Sequence, residues 1–176
     1  MEHSTTIETR ANPRARDPRS VEPTGCCPPF DPAPYRDLEI TWREELFVKE
    51  SALCFFYVPL NLGARVAKAQ ARIAAAGASP DQPLMLAHQP SPWRNDLYIR
   101  VTKPVAGAEM VTLPGTYLTR VYEGPYSRVP QWAADMTHFV QQSGRELERL
   151  YFAYTTCPAC AKAYGKNYVV AFAKVR

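Results

Sequence analysis

Four of the five cysteines stand in two tight pairs near opposite ends of the chain, Cys26-Cys27 and Cys157-Pro158-Ala159-Cys160. A C-x-x-C loop can place two thiolates on one tetrahedral metal, with Zn–S distances of about 2.3 Å. Two more thiolates would close a structural site. Cys26, Cys27, Cys157 and Cys160 are therefore the candidate zinc ligands, and such a site would tie the start of the chain to its far end. The vicinal pair makes a four-sulfur site strained, so one of its two cysteines is the weaker candidate. Redox chemistry needs the motif to open a helix after a strand. Here Ala161 to Asn167 reads as a short turn, which favours a metal knuckle. A thiol pair without metal and a redox couple remain open. Cys54, inside Leu53-Cys54-Phe55-Phe56, reads as a small buried hydrophobe. His3, His88 and His138 share no spacing, so no Ser-His-Asp or Cys-His arrangement is legible.

The elements that must position these groups follow from periodicity. Residues 1–36 hold seven of the seventeen prolines. Residues 1–22 read as disordered and 23–36 as extended, since proline blocks both helix and ladder. Glu39 to Glu50 suggests a small hairpin around Glu44-Glu45. A strand, Ala52 to Val58, ends at Pro59. Asn61 is placed to cap an amphipathic helix that carries Leu62, Val66, Ala69, Ile73 and Ala76 on one face and stops at Gly77. An apolar run, 84–87, and a strand, Asp96 to Lys103, follow. A second round gives a strand, Thr116 to Tyr122, a helix opened by Pro130 and stopped at Gly144, and strands at 149–155 and 167–174. The order strand, helix, strand, strand thus occurs twice, without a sequence repeat. Two such halves predict an α+β domain over 37–176: one mostly antiparallel sheet, both helices on one face and a groove on the other.

The 176 residues carry a net charge of +4, and the first 36 are neutral, with five Arg against five acidic residues. No concentrated basic stripe marks a nucleic-acid footprint. There is no apolar leader and no run near the ~18 residues of a membrane span. The expectation is a cytoplasmic protein with no nucleic-acid or membrane partner. A homodimer stays open. A reducing compartment disfavours structural disulfides, which again points the cysteines toward metal.

The run Leu113-Pro114-Gly115-Thr116-Tyr117-Leu118-Thr119-Arg120-Val121-Tyr122-Glu123-Gly124-Pro125-Tyr126 resembles the gyrase-inhibitor-like (GyrI-like) small-molecule-binding family. That family shows a Pro-Ala-Gly-x-Tyr start, a strand, and a Gly-Pro-Tyr turn before a helix. The Asp96-Leu97-Tyr98-Ile99 strand and the doubled element order are similar too, and the likeness spans roughly residues 50–176. It implies a bacterial groove-binding domain for small, often aromatic or cationic, molecules. A subset of the family hydrolyses reactive electrophiles there. It also implies that aromatic side chains and a glutamate line the groove. The matching positions are Tyr98, Tyr117, Glu123 and Tyr126, with Trp93 and Tyr154 nearby. Two departures stand out. Residues 1–36 cannot form a helix-turn-helix, and the cysteine pairs are additions.

Alternation puts Tyr117, Val121 and Glu123 on one face of their strand and Arg120 and Tyr122 on the other. Tyr117 with Glu123 is the set expected to line the groove, and Glu123 is the candidate catalytic base. Against this, a glutamate at a turn is ordinarily a solvated one, and any single tyrosine is ordinarily packing. The residues leave open whether a bound molecule is turned over. Two other classes stay open: a zinc-stapled protein-interaction module and a cysteine-based redox protein.

Overall fold

A computed structural model describes residues 27–176. Cys26 and the segment 1–22 expected to be disordered lie outside the described residues. The elements are β1 (Glu39–Trp42), β2 (Leu46–Phe55), β3 (Val58–Pro59), α1 (Leu62–Ala75), β4 (Met85–Ser91), β5 (Arg94–Arg100), β6 (Glu109–Thr112), β7 (Gly115–Glu123), α2 (Val129–Gln142), β8 (Leu147–Tyr154), α3 (Pro158–Tyr164) and β9 (Tyr168–Val175). The strands form one sheet in the order β1-β7-β9-β8-β4-β5-β2-β3, with β6 also on β2. The pairings are antiparallel. The two halves meet where β4 pairs with β8.

Helices α1 and α2 lie on one face. Ala69 and Ile73 of α1 pack on Val48, Ile99 and Val101. Trp132, Met136 and Val140 of α2 pack on Leu118, Phe152, Val169, Ala171 and Ala173. These strand positions share one parity through the register, from Val48↔Ile99 and Met85↔Ile99 across Ala87↔Phe152 to Phe152↔Ala171. The opposite parity supplies the other face. There Phe47, Leu86, Tyr98, Tyr117, Tyr151, Val170 and Phe172 form a buried aromatic cluster with Trp42.

Several expectations are corrected. The two strands around Glu44-Glu45 exist, but they do not pair with each other. β1 pairs with β7, and β2 with β5 and β6. Adjacency in sequence suggested a hairpin, but the ladder positions of each strand are taken by long-range partners. The strand expected to run through Val58 instead turns back at Phe56-Tyr57, two residues with φ of 45° and 70°. Phe55↔Val58 pairing around them makes a two-residue hairpin. Such a loop favours Asn-Gly, because both positions need positive φ. Asn61 does not cap α1; its Oδ1 accepts the Leu53 N–H at 3.0 Å. Finally, the segment after Cys157 is not a turn but the helix α3, with Cys157 at its N-cap and Gly165 in the left-handed conformation at its end.

Candidate functional site

The aromatic face is built by alternation along β2, β4, β5, β7, β8 and β9. Tyr151 sits at its centre, with ring centroids 5.6 Å from Tyr98, 6.3 Å from Tyr117 and 5.5 Å from His88. Trp42 reaches in from β1 to within 4.4 Å of Tyr117, 5.6 Å of Phe172 and 5.8 Å of Phe47. Since Phe47 belongs to the far half of the sheet, Trp42 bridges the two ends across this face. The Tyr117 hydroxyl donates to the Leu113 carbonyl at 3.1 Å. Burial raises the Tyr117 and Tyr98 hydroxyls above their ordinary values, so both stay neutral phenols at physiological pH.

A polar rim borders the first half of this face. Asp96, cross-strand from Ser51 and His88 and of the same parity as Tyr98, is buried. Its Oδ1 accepts from Ser51 Oγ at 2.7 Å and from Arg94 Nε at 2.6 Å. Burial alone would raise this carboxyl, but the Arg94 and Ser51 hydrogen bonds outweigh it and hold the group below the usual carboxylate range. Asp96 is therefore a fixed anion at neutral pH. His88 Nδ1 lies 2.9 Å from the Leu150 carbonyl, which can only accept. Nδ1 is then the donor in this hydrogen bond.

The residues expected from the sequence fall into four groups. Tyr98 and Tyr117 come together on the aromatic face. Glu123 shares that face by parity, but six residues along β7 put it about 20 Å from Tyr117. It is exposed and lines a shallow depression with Gly124, Tyr126, Pro158, Ala161, Lys166 and Asn167. Tyr126 joins Glu123 at this depression, yet its hydroxyl donates to the Thr156 carbonyl and its ring packs on Tyr154, 5.6 Å away, on the helix side. Burial pushes the Tyr154 hydroxyl up to about 12. Trp93 stands apart, 52 % exposed, against Phe55 and Phe56 at the β2–β3 hairpin. Tyr122, set aside by alternation, stacks on Trp132 at 5.4 Å and donates to Asp135 at 2.7 Å.

Sequence reasoning missed Asp96, Ser51, His88 and Tyr151. The available signal for Asp96 was its parity with Tyr98 in β5, an acid on the same side as that ring.

The fourth group is the cysteine cluster. The sulfurs of Cys27, Cys157 and Cys160 all lie within 4.8 Å of one another. The Cys157 N–H donates to Cys27 Sγ at 3.3 Å, and the Cys160 N–H to Cys157 Sγ at 3.5 Å. The Tyr164 hydroxyl donates to the Cys27 carbonyl. A tetrahedral zinc thiolate site needs sulfurs about 3.8 Å apart, so this arrangement is within about 1 Å of one. The motif does open a helix after a strand, contrary to the turn read from sequence. That removes one argument for a knuckle over a redox pair; the convergence of a third sulfur from 130 residues away supplies a better one.

The family model described as bacterial hydrolase matches residues 18–175. The chain belongs to this family. No curated protein matches the chain. Among solved structures, the EcmrR C-terminal domain is 11% identical with a TM-score of 0.57, over 81% of this chain and 98% of that one. A hydrolase from Listeria innocua is 14% identical with a TM-score of 0.57, over 81% and 92%. EcmrR in the EcmrR-DNA complex of EcmrR-RPo is 11% identical with a TM-score of 0.62, over 81% of this chain and 57% of that one. At these identities the likeness is one of fold, and the fold is GyrI-like, the small-molecule-binding architecture expected from the β7 motif.

Among the described residues, no helix is long and apolar enough to cross a membrane.

Proposed function

We propose that this bacterial hydrolase family member binds a planar apolar or cationic small molecule on the aromatic face, against Tyr98, Tyr117 and Tyr151, with Asp96 as the fixed anion at its rim. The observation that carries the reading is the pairing of a buried aromatic wall with a buried carboxylate held in its charged form. Aromatic faces attract cations by about 0.5–2 kcal/mol each, and a desolvated carboxylate adds a directional charge. Tyr117 and Phe172 are both 0% exposed, so a ligand must displace what covers them. Melting the protein with a panel of aromatic cations and neutral aromatic isosteres tests this. A ligand at a hundred times its Kd stabilises by about 2.7 kcal/mol, or roughly 5–10 °C for a chain of this size. Cations that shift wild type but not Asp96→Asn support the assignment; a panel without any shift sinks it.

Hydrolysis is the second reading, favoured by the family's description. Asp96 is held too acidic to be a strong base. Glu123, at the depression beside α3, is the proposed general base for water attack on an electrophilic ligand, with Tyr126 beside it. Glu123→Gln keeps shape and removes the base. It should abolish turnover of a reactive electrophile while leaving the aromatic-cation melting shifts intact.

The cysteine cluster is proposed as a structural zinc site formed by Cys27, Cys157 and Cys160, with Cys26, outside the described residues, as the fourth donor. Zinc retained near one equivalent after purification without chelator, and lost in Cys157→Ser, is the expected result. Metal-free protein under those conditions sinks the assignment.

A further inference from the structure

Residues 27–38 cross the outside of the aromatic face, and their means of attachment are unequal. At one end Cys27 sits in the sulfur cluster, its carbonyl accepting from Tyr164. At the other end Leu38 accepts from the Thr119 N–H at 2.8 Å, and β1 then pairs with β7. Between these points the hold is by rings and one ion pair. Phe30 stacks on Tyr35 at 5.8 Å and lies 6.0 Å from Tyr168; Tyr35 meets Phe172 edge-on at 5.7 Å. Asp37 pairs with Arg120 at 2.7 Å, more than half exposed on the aspartate side. The backbone hydrogen bonds of Ala33 and Tyr35 are local, to Asp31 and Pro32. Four prolines, at 28, 29, 32 and 34, remove donors and stiffen the segment. Such a segment opens by local unfolding more readily than the sheet beneath it.

We propose that the three-sulfur site is a metal clasp for this strap, and that metal occupancy governs access of ligands to the aromatic face. The inference rests on the zinc and aromatic-face readings above. Zinc on Cys27, Cys157 and Cys160 links this end of the strap to α3, 130 residues away, and so adds metal–thiolate bonds to a hold otherwise made of hydrogen bonds and ring contacts. Without the metal, the Cys27 end keeps hydrogen bonds such as those from Tyr164 and the Cys157 N–H, each much weaker than a metal–thiolate bond, beside the ring contacts, the Asp37 pair and the β1 pairing. The strap then opens more readily from the Cys27 end, and each opening uncovers Phe172 and Tyr168. The aromatic wall of Tyr117, Tyr151 and Trp42 lies behind them. The same aromatic chemistry that binds Phe30 and Tyr35 would bind the ligand, so strap and ligand compete for one surface.

The test uses the full chain, zinc-loaded and then stripped with a chelator, in reductant throughout. Amide exchange is read by NMR at Tyr35 and Thr119, which report the strap, and at Tyr151 and Phe172, which report the sheet. Binding of anilinonaphthalene sulfonate reports uncovered aromatic surface. Stripping should accelerate exchange at Tyr35 and Thr119 at least tenfold, leave Tyr151 and Phe172 within twofold, and raise dye fluorescence at least threefold; zinc readdition should reverse all three. Phe30→Ser with Tyr35→Ser removes the ring contacts without touching the thiols. Its dye binding should be high with or without zinc. Zinc bound stoichiometrically with unchanged strap exchange overturns the clasp while leaving the metal site. Failure to bind zinc at all overturns both. Uniform acceleration at all four amides shows general destabilisation and also overturns it. None of these readouts depends on finding a ligand, so failure of the melting panel is a separate result.

Discussion

Asp96→Asn isolates the charge at the rim of the aromatic face. Its side chain is 8% exposed, and it holds Ser51 and the half-exposed Arg94. A hydrogen bond to a buried carboxylate contributes about 1.5–3 kcal/mol, of which a neutral amide keeps about 1. The Arg94 pair, discounted for solvent, adds about 0.5–1. The expected loss at pH 7 is therefore about 2 kcal/mol, or a fall of roughly 4–8 °C in Tm. The pH dependence has a definite sign. The native carboxyl titrates below its unfolded value of about 3.9. Between the two, the unfolded chain binds the extra proton, so wild-type stability falls as pH falls. The contribution is complete above the unfolded value and lost once pH drops through the folded one. Urea unfolding of both proteins from pH 7 to pH 2.5 should show a gap that narrows to under about 0.5 kcal/mol at the acid end. A gap of constant size would mean that shape, not charge, carries the effect, and would refute the assignment of Asp96 as a fixed anion.

Tyr117→Phe should cost about 1–2 kcal/mol in urea unfolding, because it leaves the buried Leu113 carbonyl without its donor. Phe56→Asn with Tyr57→Gly should raise Tm by several degrees and reduce dye binding by the native protein, since both positions have positive φ and both rings are more than half exposed. Gly165→Ala should destabilise by about 1 kcal/mol through backbone strain alone: φ is +65° and an added Cβ would meet nothing within 4 Å. Trp132→Ala, which removes the buried side chain between Tyr122 and the α2 core, should cost about 3–5 kcal/mol and show as a lowered urea midpoint.

Much of the doubled architecture was legible because each half carries its own periodicity. Ala69 and Ile73 recur at helical spacing, and the 3.6-residue pattern of Trp132, Met136 and Val140 is equally local. The face of β7 was legible as well: parity separated Tyr117 from Tyr122, and the register bears this out. What failed was whatever depended on distance in sequence. Nothing local says that Glu39 pairs near Leu118 rather than with its own neighbours, or that Trp42 ends up against Tyr117 and Phe172. Tyr126 and Tyr154 read as groove residues from their place near the motif, but the turn at Gly124 carries Tyr126 to the helix side, and Tyr154 shares the helix-side parity of Phe152 in β8. Asp96 was passed over because a lone aspartate in a strand has no motif; its meaning lies in Ser51 and Arg94, brought to it only by the ladder. The convergence of Cys27 with Cys157 and Cys160 was readable, since paired cysteines in otherwise unrelated segments share one chemistry.

The position of the strap has a consequence for how the protein is made. Residues 27–42 leave the ribosome before the rest of the described fold, yet apart from Phe47 most of the surfaces they dock on come from residue 115 onward. Cys27 waits for Cys157, Glu39 for Arg145 at 3.0 Å, and Trp42 for Phe172. At 5–20 residues per second the wait lasts on the order of ten seconds or more. Throughout that interval Phe30, Tyr35 and Trp42 are bare rings on a proline-stiffened leader. A truncated or stalled chain can never cover them, so an incomplete copy is marked as such by a segment made long before the elements that cover it.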